Sequence, residues 1–277
     1  MKNLVLRTVT GILFVAVVVA SILLHDVTEI PFYVLMLLVA VLGTWEFLKM
    51  SGVLHRWPQT IVTLLVSAAF SVLPLMVSKF VLPGIFLCCI PFLFFFILLS
   101  AMELFKREES GSRLQVVGLY ILPAFWIAIP VMLMGMLIEH SAAFLLALFI
   151  IIWLDDTLAY CAGSIFGRHK LCERISPKKT WEGFLIALVL TVAASVAFGY
   201  IGYFVDNVHW NPLKWAGFAL VVVLFGTLGD LVESMIKRSC GVKDSGNILP
   251  GHGGILDRFD SVLMAVPAAV LYVFMVA

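Results

Sequence analysis

The segment from Ser234 to Asp260 concentrates the residue types that phosphate chemistry needs. It reads S-M-I-K-R-S-C-G-V-K-D-S-G-N-I-L-P-G-H-G-G-I-L-D-R-F-D, with five glycines and one histidine. Its charged residues are Lys237, Arg238, Lys243, Asp244, Asp257, Arg258 and Asp260. Cations beside carboxylates, on a backbone that a ligand can approach closely, are typical of phosphate groups bound together with a divalent cation.

Further carboxylates fall inside apolar segments, and they are Asp155, Asp156, Asp230 and Glu233. An ionised carboxylate at membrane depth costs about 2.5–3.5 kcal/mol, so such residues are functional candidates. Asp230 and Glu233, at i and i+3, share a face near a helix C-terminus, where the helix dipole favours a cation. A bound metal ion would satisfy both carboxylates. The alternative is an intrahelical pair of Glu233 with Lys237, with Asp230 held by a neighbouring arginine.

Asp257 and Asp260 repeat the i, i+3 spacing where the last apolar run begins. We expect the glycines just before them to leave backbone N–H groups open to an anion, and they are Gly251, Gly253 and Gly254. A helix N-terminus favours phosphate at such a place. The pattern indicates a divalent metal that bridges carboxylates to phosphate oxygens. A re-entrant loop with internal salt bridges is the alternative.

The elements that must position these residues are membrane spans. The chain is 62% hydrophobic with a mean hydropathy of +1.11, which is typical of an integral membrane protein. We predict an all-α, polytopic helix bundle with about nine transmembrane helices in one membrane domain, 1–277. Residues 1–140 would supply N-terminal spans, and residues 141–277 would carry the site. The predicted runs are 4–24, 30–48, 59–78, 81–102, 116–138, 142–165, 184–205, 213–236 and 261–277.

The positive charges are segregated by this arrangement of spans. Sixteen of the 18 lysines and arginines fall on one side, and only Lys79 and Lys214 fall on the other. Cytoplasmic loops carry such an excess, so we place the N-terminus in the cytoplasm and both polar segments on the cytoplasmic face. The net charge of +1 gives no reason to expect nucleic acid as a partner.

The segment from Ser234 to Asp260 resembles, position for position, the signature of the phosphatidate cytidylyltransferases, also called CDP-diacylglycerol synthases. That signature is S-x-(apolar)-K-R-x4-K-D-x-(small)-x2-(apolar)-P-x-H-G-G-(apolar)-x-D-R-x-D, and every fixed position is filled. The runs G-D-L-V-E-S and I-S-P-K-K-T-W-E-G also fit the family. Asp156, Ala159, Tyr160, Gly163 and Gly167 complete the resemblance, whereas Asp155 and Leu158 depart from the family pattern. Residues 1–140 resemble the family only in being apolar spans.

The resemblance implies that CTP and phosphatidate react to give CDP-diacylglycerol and pyrophosphate, with Mg²⁺ and with room for a second cation. It implies an integral protein of the bacterial inner membrane with its active site on the cytoplasmic side, and it favours a homodimer. The phosphate of phosphatidate would attack the α-phosphorus of CTP in line. That phosphomonoester is largely dianionic at pH 7, so no general base is needed.

Residue roles follow from the resemblance and from the chemistry. We predict Asp230 and Asp257 as metal ligands, with Glu233 and Asp260 as further candidates. The expected phosphate-binding cations are Lys237, Arg238, Lys243 and Arg258, with Asp244 orienting Lys243. The expected substrate contacts are Asp156, Ser176, Lys178, Lys179, Ser234, His252, Gly253 and Gly254.

Several of these residues also have purely structural interpretations. Lys178 and Lys179 would follow from the positive-inside bias alone. His252 would shape the turn, and Ser176 and Ser234 would be helix caps.

Other classes of protein fit the sequence less well. A transporter would more often show an internal repeat with a site near the midplane, and the sequence has no such repeat. A CTP-dependent kinase of a lipid alcohol would use the same cation and metal chemistry with a different acceptor. The D-G-x2-A-R run of CDP-alcohol phosphotransferases is absent. A purely structural role does not explain the carboxylates at membrane depth.

Overall fold

A computed structural model of the chain describes residues 2–77, 95–102, 113–249 and 251–276. Within these ranges, seven helices are long and apolar enough to cross a membrane. They are Ile30–Met50, Trp57–Leu75, Arg113–His140, Ala142–Phe166, Trp181–Gly199, Pro212–Ser239 and Leu256–Val276. They match seven of the nine predicted runs, which confirms an all-α polytopic membrane protein. The predicted orientation of the N-terminus stays a prediction.

The two remaining predicted runs have different outcomes. The first coincides with a helix whose apolar part, Thr8–Leu23, is shorter than the other seven. The fourth, 81–102, lies outside the described residues except for 95–102, which are helical. The last helix begins at Leu256, five residues before the predicted start, so Asp257 and Asp260 lie in its first turns.

The helices are numbered here in chain order, and residues 95–102 receive no number. The first five are α1 (Lys2–Leu23), α2 (Ile30–Met50), α3 (Trp57–Val77), α4 (Arg113–Pro123) and α5 (Ile129–His140). A π-helical turn, Ala124–Ala128, joins α4 to α5. The others are α6 (Ala142–Phe166), α7 (Trp181–Ser195), α8 (Gly202–Asn207), α9 (Pro212–Ser239) and α10 (Leu256–Val276). A short antiparallel hairpin, β1 (Lys170–Cys172) and β2 (Ser176–Thr180), precedes α7, and a 3₁₀ turn, Val196–Gly199, follows it.

The chain divides into two compact units. The first unit is Met1–Glu139 with Asp244–Asp257, and the second is His140–Lys243 with Arg258–Ala277. The single membrane domain expected from the sequence therefore stays a prediction. The polar segment around residue 250 belongs to the first unit, although it follows α9 in the chain.

In the first unit, α2 packs against α3 and against the π-helical turn. Thr44 and Ser67 share a buried hydrogen bond of 2.8 Å between their hydroxyl groups, which joins α2 to α3. The buried Tyr120 hydroxyl donates to the Val53 carbonyl at 2.6 Å. These bonds satisfy polar groups that would otherwise cost free energy in an apolar interior.

In the second unit, glycines allow helices to approach closely. A Cβ at Gly183 would lie 3.0 Å from the Gly163 Cα, so α6 and α7 touch through their backbones. A Cβ at Gly229 would lie 2.6 Å from the Asp260 carbonyl oxygen, so α9 and α10 do the same. Small residues at such contacts are typical of membrane helices. The second contact brings the acidic end of α9 beside Asp260.

Candidate active site

The hairpin before α7 is attached to the first turn of that helix. The Glu182 carboxylate accepts the His169 backbone N–H at 3.1 Å, and the Thr180 hydroxyl caps α7 by accepting a backbone N–H at 3.2 Å. Side chains at such N-cap positions satisfy N–H groups that the helix leaves unpaired. The strand that ends at Thr180 carries Lys178, which is exposed, and Lys179, which is partly buried.

Lys179 reaches the carboxylate of Asp230 on α9. Its Nζ lies 2.5 Å from Asp230 Oδ2, and the two side chains are 28% and 24% exposed. The other oxygen, Oδ1, accepts the Ser234 hydroxyl at 3.3 Å. The expected partner of Asp230, an arginine, is therefore a lysine. Ser234 lies inside α9, so its interpretation as a helix cap is wrong.

One turn further along α9, Glu233 and Lys237 form an intrahelical ion pair. The distance from Lys237 Nζ to Glu233 Oε2 is 2.5 Å, and the side chains are 11% and 0% exposed. The structural alternative given for this pair is confirmed. The metal-ligand role of Glu233 and the phosphate-binding role of Lys237 stay predictions.

Four carboxylates of the second unit form one interacting group, called here the acidic cluster. Asp260 lies close enough to interact electrostatically with the other three, and the cluster is Asp156, Asp230, Glu233 and Asp260. Asp156 also interacts with two cations of the same unit, Lys179 and Arg258. Residues from α6, the hairpin, α9 and α10 therefore meet at this place.

Asp155 adds a fifth carboxyl group beside the acidic cluster. Its side chain is buried, at 7% exposed, and its Oδ1 makes no hydrogen bond with the part of the chain that the structure describes. It interacts with Asp156 and with Lys179. The resemblance carried only Asp156 forward, whereas the apolar surroundings of Asp155 in the sequence had already made it a candidate.

The acidic cluster brings several oxygen donors and their negative charges to one place. Its donors are carboxylate oxygens, which Mg²⁺ prefers. With Asp155, five carboxyl groups meet three cationic side chains, Lys179, Lys237 and Arg258, so negative charge is in excess. No group of three His, Cys, Asp or Glu side chains among the described residues is arranged to hold a metal ion. Lysine ammonium groups neutralise Asp230 and Glu233 in this arrangement.

A cavity of about 270 Å³ opens beside the acidic cluster in the second unit. Its charged wall contains Asp155, Asp156, Lys178 and Lys179. The rest of its lining is Ala159, Tyr160, Gly163, Ser164, Leu171, Thr180, Phe184 and Thr227. A mostly apolar lining that also carries two lysines and two carboxylates suits a ligand with a charged head and an apolar body.

The glycine-rich segment before α10 folds around carboxylates of its own unit. Asp257 Oδ2 accepts the Ser245 N–H at 2.9 Å, the Ser245 hydroxyl at 3.1 Å and the Gly254 N–H at 2.8 Å. The prediction that the Gly254 N–H is open to an anion is therefore wrong, because Asp257 takes it. Gly251 and Gly253 have positive φ angles of 78° and 85°, which form the turn.

Glu46 on α2 is the residue at this place that sequence reasoning missed. Its carboxylate is 2% exposed and accepts the backbone N–H groups of Ile255 and Leu256, each at 3.0 Å. It also accepts the Ser245 hydroxyl at 3.0 Å. Glu46 thus caps the N-terminus of α10. The signal in the sequence was a single acid within the second apolar run.

His252 is held by the first helix. Its Nδ1 lies 2.6 Å from the Thr10 hydroxyl, and its backbone N–H donates to the Leu249 carbonyl at 2.9 Å. The Leu249 N–H in turn donates to the Gly253 carbonyl at 2.9 Å. These bonds support the turn-shaping interpretation of His252. Its contact with phosphate stays a prediction.

A family model decides the class of this protein. The model described as the cytidylyltransferase family matches residues 5–276, which is almost the whole chain. The chain belongs to the cytidylyltransferase family. The family resemblance drawn from Ser234 to Asp260 is thereby confirmed.

Individual relatives match over a shorter length. The chain is 52% identical over 126 residues to a protein of Staphylococcus aureus (strain COL) named phosphatidate cytidylyltransferase. It is 46% identical over 129 residues and 48% identical over 126 residues to proteins of the same name from Staphylococcus epidermidis and Staphylococcus haemolyticus. The matches cover 45% to 47% of this chain and 46% to 48% of the relatives. The chain thus matches these cytidylyltransferases over about half of their length.

Three of the remaining predicted residues, Arg238, Lys243 and Asp244, lie at the surface of the described chain. Arg238 and Lys243 are exposed, and an Arg238 guanidinium N–H donates to the Val242 carbonyl at 3.2 Å. Asp244 is exposed as well, and its orienting role toward Lys243 stays a prediction. Ser176 begins β2, so its interpretation as a helix cap is wrong.

Proposed function

We propose that this protein transfers a cytidylyl group from CTP to phosphatidate, giving CDP-diacylglycerol and pyrophosphate. The observation that carries the proposal is the cavity in the second unit, where Lys178 and Lys179 stand beside the acidic cluster. Membership of the cytidylyltransferase family and the names of the three staphylococcal relatives support it. The substrates of those relatives are proposed for this chain, because the matches span about half of each protein.

The cavity suits the two ends of phosphatidate. Lys178 and Lys179 both line the cavity, and they are the cations assigned to the phosphate of phosphatidate. Tyr160 and Phe184 provide apolar surface in the same lining for the first carbons of the acyl chains. Lys179 also pairs with Asp230, so it is held by the protein while it faces the cavity.

The reaction forms one P–O bond and breaks another. A phosphate oxygen of phosphatidate attacks the α-phosphorus of CTP, and the bond from that phosphorus to the bridging oxygen of the β-phosphate breaks. The electron pair leaves with pyrophosphate. The attacking phosphate is largely dianionic at pH 7, so the protein need not remove a proton.

The protein contributes position and charge to this step. Lys178 and Lys179 hold anionic oxygens at the cavity wall, and Arg258 adds positive charge beside Asp156. Mg²⁺, held by the carboxylates of the acidic cluster, would neutralise the charge that develops on the phosphate oxygens. A second cation would bind to the same group of carboxylates, which outnumber the cationic side chains beside them.

The proposed location is the bacterial inner membrane, with the site on the cytoplasmic side. The apolar helices support membrane insertion, and the segregation of lysines and arginines supports the cytoplasmic placement. The proposed homodimer rests on the family resemblance.

Pyrophosphate release tests the proposal. The purified protein is given phosphatidate with CTP, ATP, GTP or UTP, with and without Mg²⁺, beside the variant Asp230→Asn. We expect release only with CTP, phosphatidate and Mg²⁺, and a loss of about 100-fold or more in the variant. Asp206→Asn is the matched control, because Asp206 is exposed on α8 and outside the acidic cluster. Equal release from both variants would contradict the proposed role of Asp230.

A further inference from the structure

A buried acid in the first unit holds together a segment that lies about 200 positions away in the chain. Glu46 is 2% exposed, and both of its carboxylate oxygens are used. Oε1 accepts the Ile255 N–H, and Oε2 accepts the Leu256 N–H and the Ser245 hydroxyl. The three bonds reach both ends of the segment between Ser245 and Leu256. The Glu46 side chain therefore links the two ends of this segment by hydrogen bonds.

The glycines of the segment are shaped around the same carboxylate. A Cβ at Gly246 would lie 2.8 Å from Glu46 Cδ, which is too close for any real side chain. A Cβ at Gly254 would collide with the Ser245 hydroxyl and with both Glu46 oxygens. In this arrangement the Glu46 carboxylate occupies the space that a side chain at either position would take. This account of the glycines needs no external anion.

Glu46 is also connected to Asp257 through one residue. The Ser245 hydroxyl lies 3.0 Å from Glu46 Oε2 and 3.1 Å from Asp257 Oδ2. The Ser245 N–H fixes the same Asp257 oxygen at 2.9 Å. The N–H groups at the start of α10 are divided between the two acids, because Gly254 donates to Asp257 while the next two residues donate to Glu46. The position of Asp257 therefore depends on the position of Glu46.

We infer that Glu46 is a positioning residue for Asp257, which it affects by holding residues 245–256 and, through Ser245, the Asp257 carboxylate. The inference rests on the proposed function for its effect on catalysis, because Asp257 is a predicted metal ligand. It makes the predicted role of Asp257 depend on a residue of α2. A hydrogen-bonded partner that orients a metal-binding carboxylate typically changes metal affinity or activity by about 10–100-fold.

The substitution Glu46→Gln tests this inference. Glutamine keeps the shape of the side chain but replaces one acceptor oxygen with an NH₂ group, so one of the two helix N–H groups loses its acceptor. Thr44→Val is the matched control. It removes a buried hydrogen bond from the same helix, two residues away, and leaves residues 245–256 without a changed contact. Glu46→Asp keeps both oxygens on a shorter side chain and serves as the conservative variant.

The first readout is amide hydrogen exchange over residues 245–256, which requires no substrate. We expect exchange in Glu46→Gln to be at least about tenfold faster than in wild type, with intermediate rates in Glu46→Asp and wild-type rates in Thr44→Val. The second readout is the Mg²⁺ concentration for half-maximal CDP-diacylglycerol synthesis. We expect it to rise about tenfold or more in Glu46→Gln and to stay unchanged in Thr44→Val.

The two readouts distinguish a failure of the proposed function from a failure of the inference about Glu46. A wild-type protein without transfer activity overturns the proposed function, and the exchange measurement then still decides whether Glu46 holds the segment. Equal exchange in Glu46→Gln and Thr44→Val would overturn the inference. Faster exchange with an unchanged Mg²⁺ requirement in an active enzyme would reduce Glu46 to a purely structural residue and would also overturn it.

Discussion

The ion pair of Glu233 and Lys237 gives a prediction whose magnitude follows from the structure. The charged atoms lie 2.5 Å apart, and the Glu233 side chain is 0% exposed. Replacing Lys237 with methionine keeps the length of the side chain and leaves a buried carboxylate without this cation. Breaking a buried pair in this way costs about 3–5 kcal/mol of the free energy of unfolding.

The double variant Glu233→Gln/Lys237→Met removes both charges. Because the buried Glu233 carboxylate is no longer there to be neutralised, we expect the double variant to regain most of the stability that Lys237→Met loses. With the single variant Glu233→Gln completing the cycle, the coupling energy should be at least about 2–3 kcal/mol. Denaturant titration of each purified variant in detergent measures its free energy of unfolding. Lys49→Met, an exposed lysine at the end of α2, is the control and should change stability by no more than about 0.5 kcal/mol.

Activity of the same variants separates the two roles of Lys237. Because the double variant also removes the Glu233 carboxylate from the acidic cluster, its activity is compared with that of Glu233→Gln alone. If Lys237 also binds a phosphate, the double variant is less active than Glu233→Gln. If Lys237 only balances Glu233, the two variants are equally active. A loss below about 1 kcal/mol in Lys237→Met, or no recovery in the double variant, would refute the reasoning that this pair is buried and interdependent.

Two further substitutions test the packing that positions the acidic cluster. Gly229→Ala should lower the free energy of unfolding by about 1–3 kcal/mol, because the added Cβ would lie 2.6 Å from the Asp260 backbone oxygen. The control is Gly118→Ala, whose added Cβ would meet nothing within 4 Å and which should be neutral or stabilising. Similar losses of stability in both variants would contradict the close contact. Thr180→Ala should cost about 1 kcal/mol through loss of the cap on α7, whereas Thr180→Ser should keep most of that stability, as thermal unfolding would show.

The sequence was sufficient for the features that depend on local composition. Seven apolar runs of about 20 residues became helices of the expected length, because the membrane requires such runs of any spanning helix. The i, i+4 spacing of Glu233 and Lys237 gave their ion pair as the alternative to a metal site, since that spacing alone places two side chains on one helix face.

Contacts between distant parts of the chain were beyond this reasoning. The partner of Asp230 is Lys179, which reaches it from a hairpin that apolar periodicity does not indicate. Glu46 lies about 200 positions from the N–H groups that it accepts, so no local pattern reveals the contact. The glycines near residue 254 were interpreted as an anion site, because sequence does not show which acid of the protein itself fills the space.

Product analysis tests the central proposal most directly. The purified protein is incubated with CTP, phosphatidate and Mg²⁺, and the lipid products and the released nucleotide or pyrophosphate are identified by mass spectrometry. The account predicts CDP-diacylglycerol and pyrophosphate in equal amounts, and neither product without phosphatidate. Release of CDP, with a phosphate added to a lipid alcohol supplied in the same assay and no CDP-diacylglycerol, would contradict the account and would identify a CTP-dependent lipid kinase.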